Sequence, residues 1–209
     1  MMLIIDISGS NFFGSNSAFK NEYVTELAAT LAFSATKNND KVGLILFSDN
    51  VELYIPPKKG KSHVLRIIRE LLEFKSKSKK TDINVPLKFV SNILKNRSIA
   101  FIISDFISQD YSNSLKIFSS RHDVTGIRIY DKTEEIIPNL GVIDINDNET
   151  GKRITVNTSS KKIRRKYNEY YNSKRREFVD YFKRSGSGII ECNTNDDYQK
   201  KLLKYFKSR

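Results

Sequence analysis

A single cysteine, Cys192, in 209 residues cannot pair within the chain, so no disulfide framework supports the fold. Two histidines, His63 and His122, are too few for an imidazole-rich metal cage, which sets zinc-type sites aside. The longest apolar runs, such as Val42–Phe47 and residues 99–103, stop far short of the ~20 residues needed to span a bilayer. The expectation is therefore a soluble, cytoplasmic chain with no membrane span. No repeat recurs along it. What the chain has in excess is positive charge: 36 basic against 24 acidic residues give a formal net charge of +12. That balance suits an acidic protein surface, nucleic acid or an anionic membrane without choosing among them. The length predicts one domain, residues 1–209, able to bury roughly 70% of its unfolded surface.

Short continuous apolar runs alternate with longer stripes at helical spacing, the pattern of a mainly parallel sheet covered on both faces. Leu3-Ile4-Ile5 reads as a first buried strand. Its position directly after the doubled Met1-Met2 is what a piece of a longer protein, lacking an N-terminal segment, would show. Val24, Leu27, Ala28, Leu31, Ala32 and Ala35 mark the first helix. Val42–Phe47 is a second strand, Ser48-Asp49-Asn50 a tight turn, and residues 51–55 a third, antiparallel strand at the sheet edge, stopped by Pro56-Pro57. Val64, Leu65, Ile67, Ile68, Leu71 and Leu72 give the next helix its buried face.

A charged loop, Lys75-Ser76-Lys77-Ser78-Lys79-Lys80, leads to Thr81 and Asp82, which open a helix carrying Pro86 in its first turn. Strands over 98–104 and 124–130 flank a short helix near 112–119. Residues 142–145 and 153–156 read as a β-hairpin appended to the main sheet, followed by a helix over Lys161–Arg184, a strand over 188–191 and a closing helix over 198–206.

The chemistry gathers where the first strand ends, at Asp6-Ile7-Ser8-Gly9-Ser10. Ligand crevices of doubly wound sheets lie beyond the carboxyl ends of parallel strands. Asp105, in Ile102-Ile103-Ser104-Asp105-Phe106, ends another apolar run in the same manner. If the two strands are neighbours, two carboxylates share one crevice and repel. A hard cation, which takes carboxylate, hydroxyl and water oxygens, would relieve that repulsion. Ser8, Ser10 and Thr81 supply hydroxyls.

Asp-x-Ser-x-Ser, a distant Thr, and an Asp after a buried strand together resemble the metal-ion-dependent adhesion site of von Willebrand factor A (vWA) domains. Residues 40–48, Ile55-Pro56-Pro57-Lys58-Lys59-Gly60, Ile103-Ser104-Asp105-Phe106, Arg121-His122-Asp123-Val124, Pro138, Gly141 and Glu149-Thr150-Gly151 extend the likeness to the bacterial DUF58 family over nearly the whole chain. The resemblance implies an α/β, vWA-like doubly wound sheet, mainly parallel with one antiparallel edge strand, helices on both faces and a small β-hairpin insertion. It further implies that Ser8, Ser10 and Thr81 bind Mg²⁺ or Mn²⁺ directly, with Asp6 and Asp105 acting largely through bound waters. Asn11 departs from the family, which usually carries Met after the second serine. Family members are commonly encoded beside MoxR-type AAA+ ATPases, which implies such an ATPase as partner, reached through an acidic side chain. The function implied is a metal-dependent protein–protein interaction module, not an enzyme.

Other motifs read more plainly. Gly60-Lys61-Ser62 imitates the end of a phosphate-binding loop, but Ile55 occupies the position of its first glycine and Pro56-Pro57 lack amide donors. Asp6 resembles a phosphatase nucleophile, but Ser8 stands where the second Asp of that chemistry belongs. Cys192 reads as a small core residue, and His63 and His122 as cap or surface groups. Asp49, Glu52, Asp144 and Asp147 read as ordinary turn and edge polar groups. Between 151 and 185, twelve basic residues stand against Glu169, Glu177 and Asp180. With interleaved Tyr167, Tyr170, Tyr171, Tyr181 and Phe182, this stretch offers an alternative, a nucleic-acid-binding vWA domain that uses helix 161–184. The same aromatics fall on one helical stripe with Ile163 and Phe178, however, so the primary expectation is that they face the core.

Overall fold

The computed structural model describes residues 1–8, 17–146 and 153–208. In chain order its elements are β1 (Met2–Asp6), α1 (Ser17–Lys37), β2 (Val42–Phe47), β3 (Val51–Lys58), α2 (Lys61–Glu73), α3 (Asn84–Ile93), β4 (Ile99–Ser104) and α4 (Ser112–Ser119). Then come β5 (Asp123–Tyr130), α5 (Lys132–Glu135), β6 (Val142–Asn146), β7 (Arg153–Asn157), α6 (Lys161–Arg184), β8 (Gly188–Asn193) and α7 (Tyr198–Lys207). The main sheet runs β3-β2-β1-β4-β5-β8, parallel throughout except for the β2–β3 pair.

Every residue of β1 and β2 is buried, which is why these strands are continuous apolar runs without polar alternation. Successive side chains of β1 serve opposite layers. Leu3 and Ile5 pack with Leu27 and Leu31 of α1, Val64 and Ile67 of α2, and Leu202 of α7. Met2 and Ile4 pack with Leu87 and Val90 of α3, Leu115 and Phe118 of α4, and Phe178 and Phe182 of α6. Gly126 sits under α6 so closely that a Cβ there would lie 2.5 Å from the Phe182 ring and 2.8 Å from that of Phe178. Only glycine lets this helix seat on β5.

Several expectations are corrected. Pro56-Pro57 does not stop β3, which continues to Lys58 with Leu44 opposite Ile55 and Val42 opposite Lys58. On an edge strand one proline can turn its missing N–H side to solvent, and the register shift between Val42 and Leu44, opposite Pro56-Pro57, accommodates the other. In α2, Leu65 and Leu72 are 50% and 64% exposed, because the helix turns only Val64, Ile67 and Leu71 fully inward. Helix α3 begins at Asn84, so Thr81 and Asp82 belong to its approach, with Asp82 Oδ1 accepting from Asn84 N–H at 2.9 Å. The hairpin forms a separate two-stranded sheet, and Asp147 lies outside the described residues. His122 is buried against Phe118 rather than lying at the surface, and burial, then the nearby Arg121 charge, lowers its pKa. No helix among the described residues is long and apolar enough to cross a membrane.

Candidate functional site

β1 lies between β2 and β4, and the chain reaches β2 on one side and β4 on the other. Such a switch point opens a crevice beyond the carboxyl ends of the strands. Asp6 is the last residue of β1, and Asp105 follows Ser104, the last of β4. The parallel register sets Ile5 beside Ile103, so the two carboxylates leave neighbouring strand ends.

Both are fixed by the same local device. Ser8 N–H donates to Asp6 Oδ1 at 2.9 Å, and Ile107 N–H donates to Asp105 Oδ1 at 2.9 Å. Each is a side-chain turn spanning two residues, which lets the chain leave its strand with a backbone donor satisfied. The second oxygen of Asp6 accepts from Ser104 Oγ at 2.6 Å, and that hydroxyl oxygen accepts from Phe106 N–H at 3.0 Å. Phe106 itself has a φ of 60°, a left-handed conformation that is costly for a bulky side chain. Its ring is buried, 4.3 Å from Phe178, so packing holds the turn in place.

Asp6 is 1% exposed, Asp105 2%, and Ser8 is fully buried. Burial, and then the neighbouring Asp105 charge, push the Asp6 carboxyl up to about 6, opposed by the hydrogen bonds from Ser104 and Ser8. A cation placed here would reverse that electrostatic balance.

Thr81 arrives from a distant part of the chain. Asp82 N–H donates to Ser48 O at 3.1 Å, and Ser108 Oγ donates to Thr81 O at 3.4 Å. These bonds tie the approach to α3 onto the β2–β3 turn and the loop after β4. The Thr81 hydroxyl then donates to Ser8 Oγ at 2.6 Å. Oxygens this close suit adjacent corners of an Mg²⁺ octahedron, whose edge is about 3 Å for metal–oxygen bonds of about 2.1 Å. Among the described residues no group of three or more His, Cys, Asp or Glu that could hold a metal ion is present; the oxygens brought together here are the hydroxyls of Ser8 and Thr81 beside the carboxylates of Asp6 and Asp105. Such a set suits a hard cation. Asp6, Ser8, Thr81 and Asp105 thus come together at one crevice, whereas Ser10 and Asn11 lie outside the described residues.

Two residues of this region escaped the sequence reading. Ser104 orients Asp6, and its signal was a hydroxyl at the end of an apolar strand beside another strand end. Arg128 stands opposite Ser104 on one side and opposite Glu191 on the other. It is 1% exposed, with its guanidinium 3.6 Å from Glu191, 3.9 Å from Glu135 and 4.7 Å from the Tyr130 ring centre. Arg175 of α6 closes the row with two bonds to Glu191, at 2.7 and 2.9 Å. Asp6, Ser104, Arg128 and Glu191 therefore form a polar row across the otherwise apolar sheet. A lone arginine inside the run Gly126-Ile127-Arg128-Ile129 was its signal.

Helix α6 matches its expected bounds, and Tyr171, Phe178 and Phe182 are buried. Tyr170 differs: it is 51% exposed, because the inward stripe is narrower than the aromatic count suggests. With the other rings at least partly covered, the helix presents no row of stacking platforms, and the nucleic-acid reading is not favoured.

The chain is similar in sequence to an uncharacterized protein of Mycobacterium tuberculosis, 20% identical over 99% of this chain and 66% of that relative. In structure it is similar to an aerotolerance-related membrane protein from Bacteroides fragilis, with a TM-score of 0.62 and 17% identity over 100% of this chain and 98% of that one. It is also similar to the VWA domain of SpRpn10, with a TM-score of 0.50 and 9% identity over 100% of this chain and 93% of that one. At these identities the likenesses establish the fold, which is vWA-like. Residues 1–177 match the family described as "Protein of unknown function DUF58", and the chain belongs to that family.

Proposed function

We propose that this domain is a Mg²⁺- or Mn²⁺-dependent protein-binding module without catalytic activity. The observation that carries the proposal is the 2.6 Å contact between the Thr81 and Ser8 hydroxyls beside the buried Asp6 and Asp105. Ser8, Thr81 and, from the sequence pattern, Ser10 would hold the ion directly, with the carboxylates oriented for bound water. The ion supplies a Lewis-acidic position that an incoming carboxylate can occupy. The protein's own part is to keep hydroxyl oxygens converged beside two buried carboxylates, so that a cation is favoured there. Mg²⁺ keeps an octahedral shell and sheds water reluctantly, so three hydroxyls leave positions that a partner Asp or Glu can complete.

The vWA-like fold supports an interaction role. The likeness to DUF58 proteins encoded beside MoxR-type AAA+ ATPases supports such an ATPase as the partner. The test is capture of the purified ATPase by the immobilised domain in Mg²⁺, in EDTA, and with Thr81→Ala. Loss in both of the latter is expected; capture that survives chelation and the substitution would refute coordination.

A further inference from the structure

We propose that the loop between α2 and Thr81 is a preformed basic clamp for acidic residues flanking the partner's coordinating carboxylate; this rests on the metal-dependent reading above. Lys75, Lys77, Lys79 and Lys80 are all exposed, and no acidic residue interrupts the loop between Glu73 and Asp82. Among the described residues no carboxylate forms a salt bridge with Lys75, Lys77 or Lys80.

Two nearby acids bond backbone and uncharged side-chain groups. Glu52, on the edge strand β3, accepts from Ser76 Oγ at 3.0 Å and from Lys77 N–H at 2.8 Å. Its two oxygens thus hold the loop's backbone and serine. Asp82 Oδ1 is held by the N–H and Nδ2 of Asn84. Ser76 Oγ also lies 2.6 Å from Ser78 O, and Lys80 N–H donates to Ser78 Oγ at 3.3 Å. The far end is tied down by Asp82 to Ser48 and by Thr81 to Ser8.

The loop is therefore anchored at its start by an edge-strand carboxylate and at its end by the candidate metal site. Lys77 is four residues from Thr81, so its Cα lies within about 14 Å of that of Thr81 along the chain. Acidic residues within a few positions of a coordinating Asp or Glu would meet the lysines. A loop already fixed loses little freedom on binding, and its charge steers encounter and disfavours basic partners. The buried Asp6 and Asp105 do not oppose this, since a bound cation offsets them. Glu52, which read as an ordinary edge polar group, is here the residue that shapes the clamp.

The probe is a fluorescein-labelled synthetic peptide of glutamates with one central aspartate, followed by anisotropy in Mg²⁺ across a salt series. Reversing Lys75, Lys77 and Lys80 to Glu should weaken binding by about tenfold or more and flatten its salt dependence. Glu52→Ala gives the sharper distinction. Removing a negative charge beside lysines should tighten binding if charge alone matters, whereas loss of the anchored loop should weaken it severalfold.

Unchanged affinity in the lysine variant, or tighter binding with Glu52→Ala, would overturn the clamp. Oligo(dT) that binds more tightly than the peptide and is lost with the same lysines would also overturn it, in favour of nucleic acid. Asp6→Ala and EDTA separate the two readings. If neither affects binding while the lysine and Glu52 variants behave as stated, the clamp stands and metal coordination fails.

Discussion

Ser104 donates its hydroxyl to Asp6 Oδ2 at 2.6 Å, joining the ends of two neighbouring parallel strands through a single buried hydrogen bond. The same oxygen accepts the N–H of Phe106, which sits in the left-handed turn that follows Asp105. One small side chain thus fixes one carboxylate and the turn that carries the other. Ser104→Ala should cost about 1–3 kcal/mol, the range for leaving a buried polar group unsatisfied. Chemical denaturation measures this. It should also weaken Mn²⁺ affinity, which a purely structural role would leave unchanged once folding is accounted for.

Metal should stabilise the native state, because Asp6 and Asp105 are buried like charges without it. At free Mg²⁺ one hundred times its dissociation constant, linkage gives about 2.7 kcal/mol. For a chain of this size that corresponds to a rise of about 5–10 °C in Tm. Scans in millimolar Mg²⁺ and in EDTA measure it, and Asp6→Ala should abolish the difference while remaining folded.

The pH dependence of the metal-free protein follows from Asp6. Its folded pKa, about 6, lies above the ordinary 3.8, so the folded state holds this proton more tightly than the unfolded state. The stability it contributes is full below pH 3.8 and is lost as pH rises through about 6. Asp6→Asn removes this titration. In EDTA, the stability of wild type relative to Asp6→Asn should therefore fall between pH 4 and 7; a constant difference would contradict the assignment.

Helix α6 separates core from surface residue by residue. Phe178→Ala should cost about 3–5 kcal/mol, as a buried aromatic cut to alanine does. Tyr170→Ala and replacement of the exposed Arg165 should each stay within about 0.5 kcal/mol. Urea midpoints compared across the three variants test the division.

The parallel strands were legible because both faces of the sheet are covered: β1, β2 and β4 contain almost nothing polar until Asp6, Ser48 and Ser104 mark their ends. The same contrast located Asp6 and Asp105, and the resemblance brought in Thr81, whose place beside Ser8 depends on contacts 73 residues apart in sequence. What local pattern could not show was which polar groups meet across the sheet. Ser104 and Arg128 look ordinary in their own segments, and only strand order makes them neighbours of Asp6 and Glu191. Nor did periodicity fix the centre of the packed stripe: Tyr170 and Tyr171 differ by about 100° around the helix, and both fit the broad aromatic face until packing selects the side of Tyr171, Phe178 and Phe182. Pro56-Pro57 misled for a related reason: whether a proline ends a strand depends on which side carries a neighbour.

The most direct test of the metal site is a Mn²⁺ titration followed by electron paramagnetic resonance, which reports free ion without requiring any partner. The wild-type domain should take up Mn²⁺ at one saturable site, with Mg²⁺ displacing it and with Asp6→Ala and Thr81→Ala each abolishing uptake while remaining folded. Free-ion signal that rises from the first addition in wild type, or uptake identical in all three proteins, would contradict a metal held by Ser8, Thr81 and the two buried carboxylates.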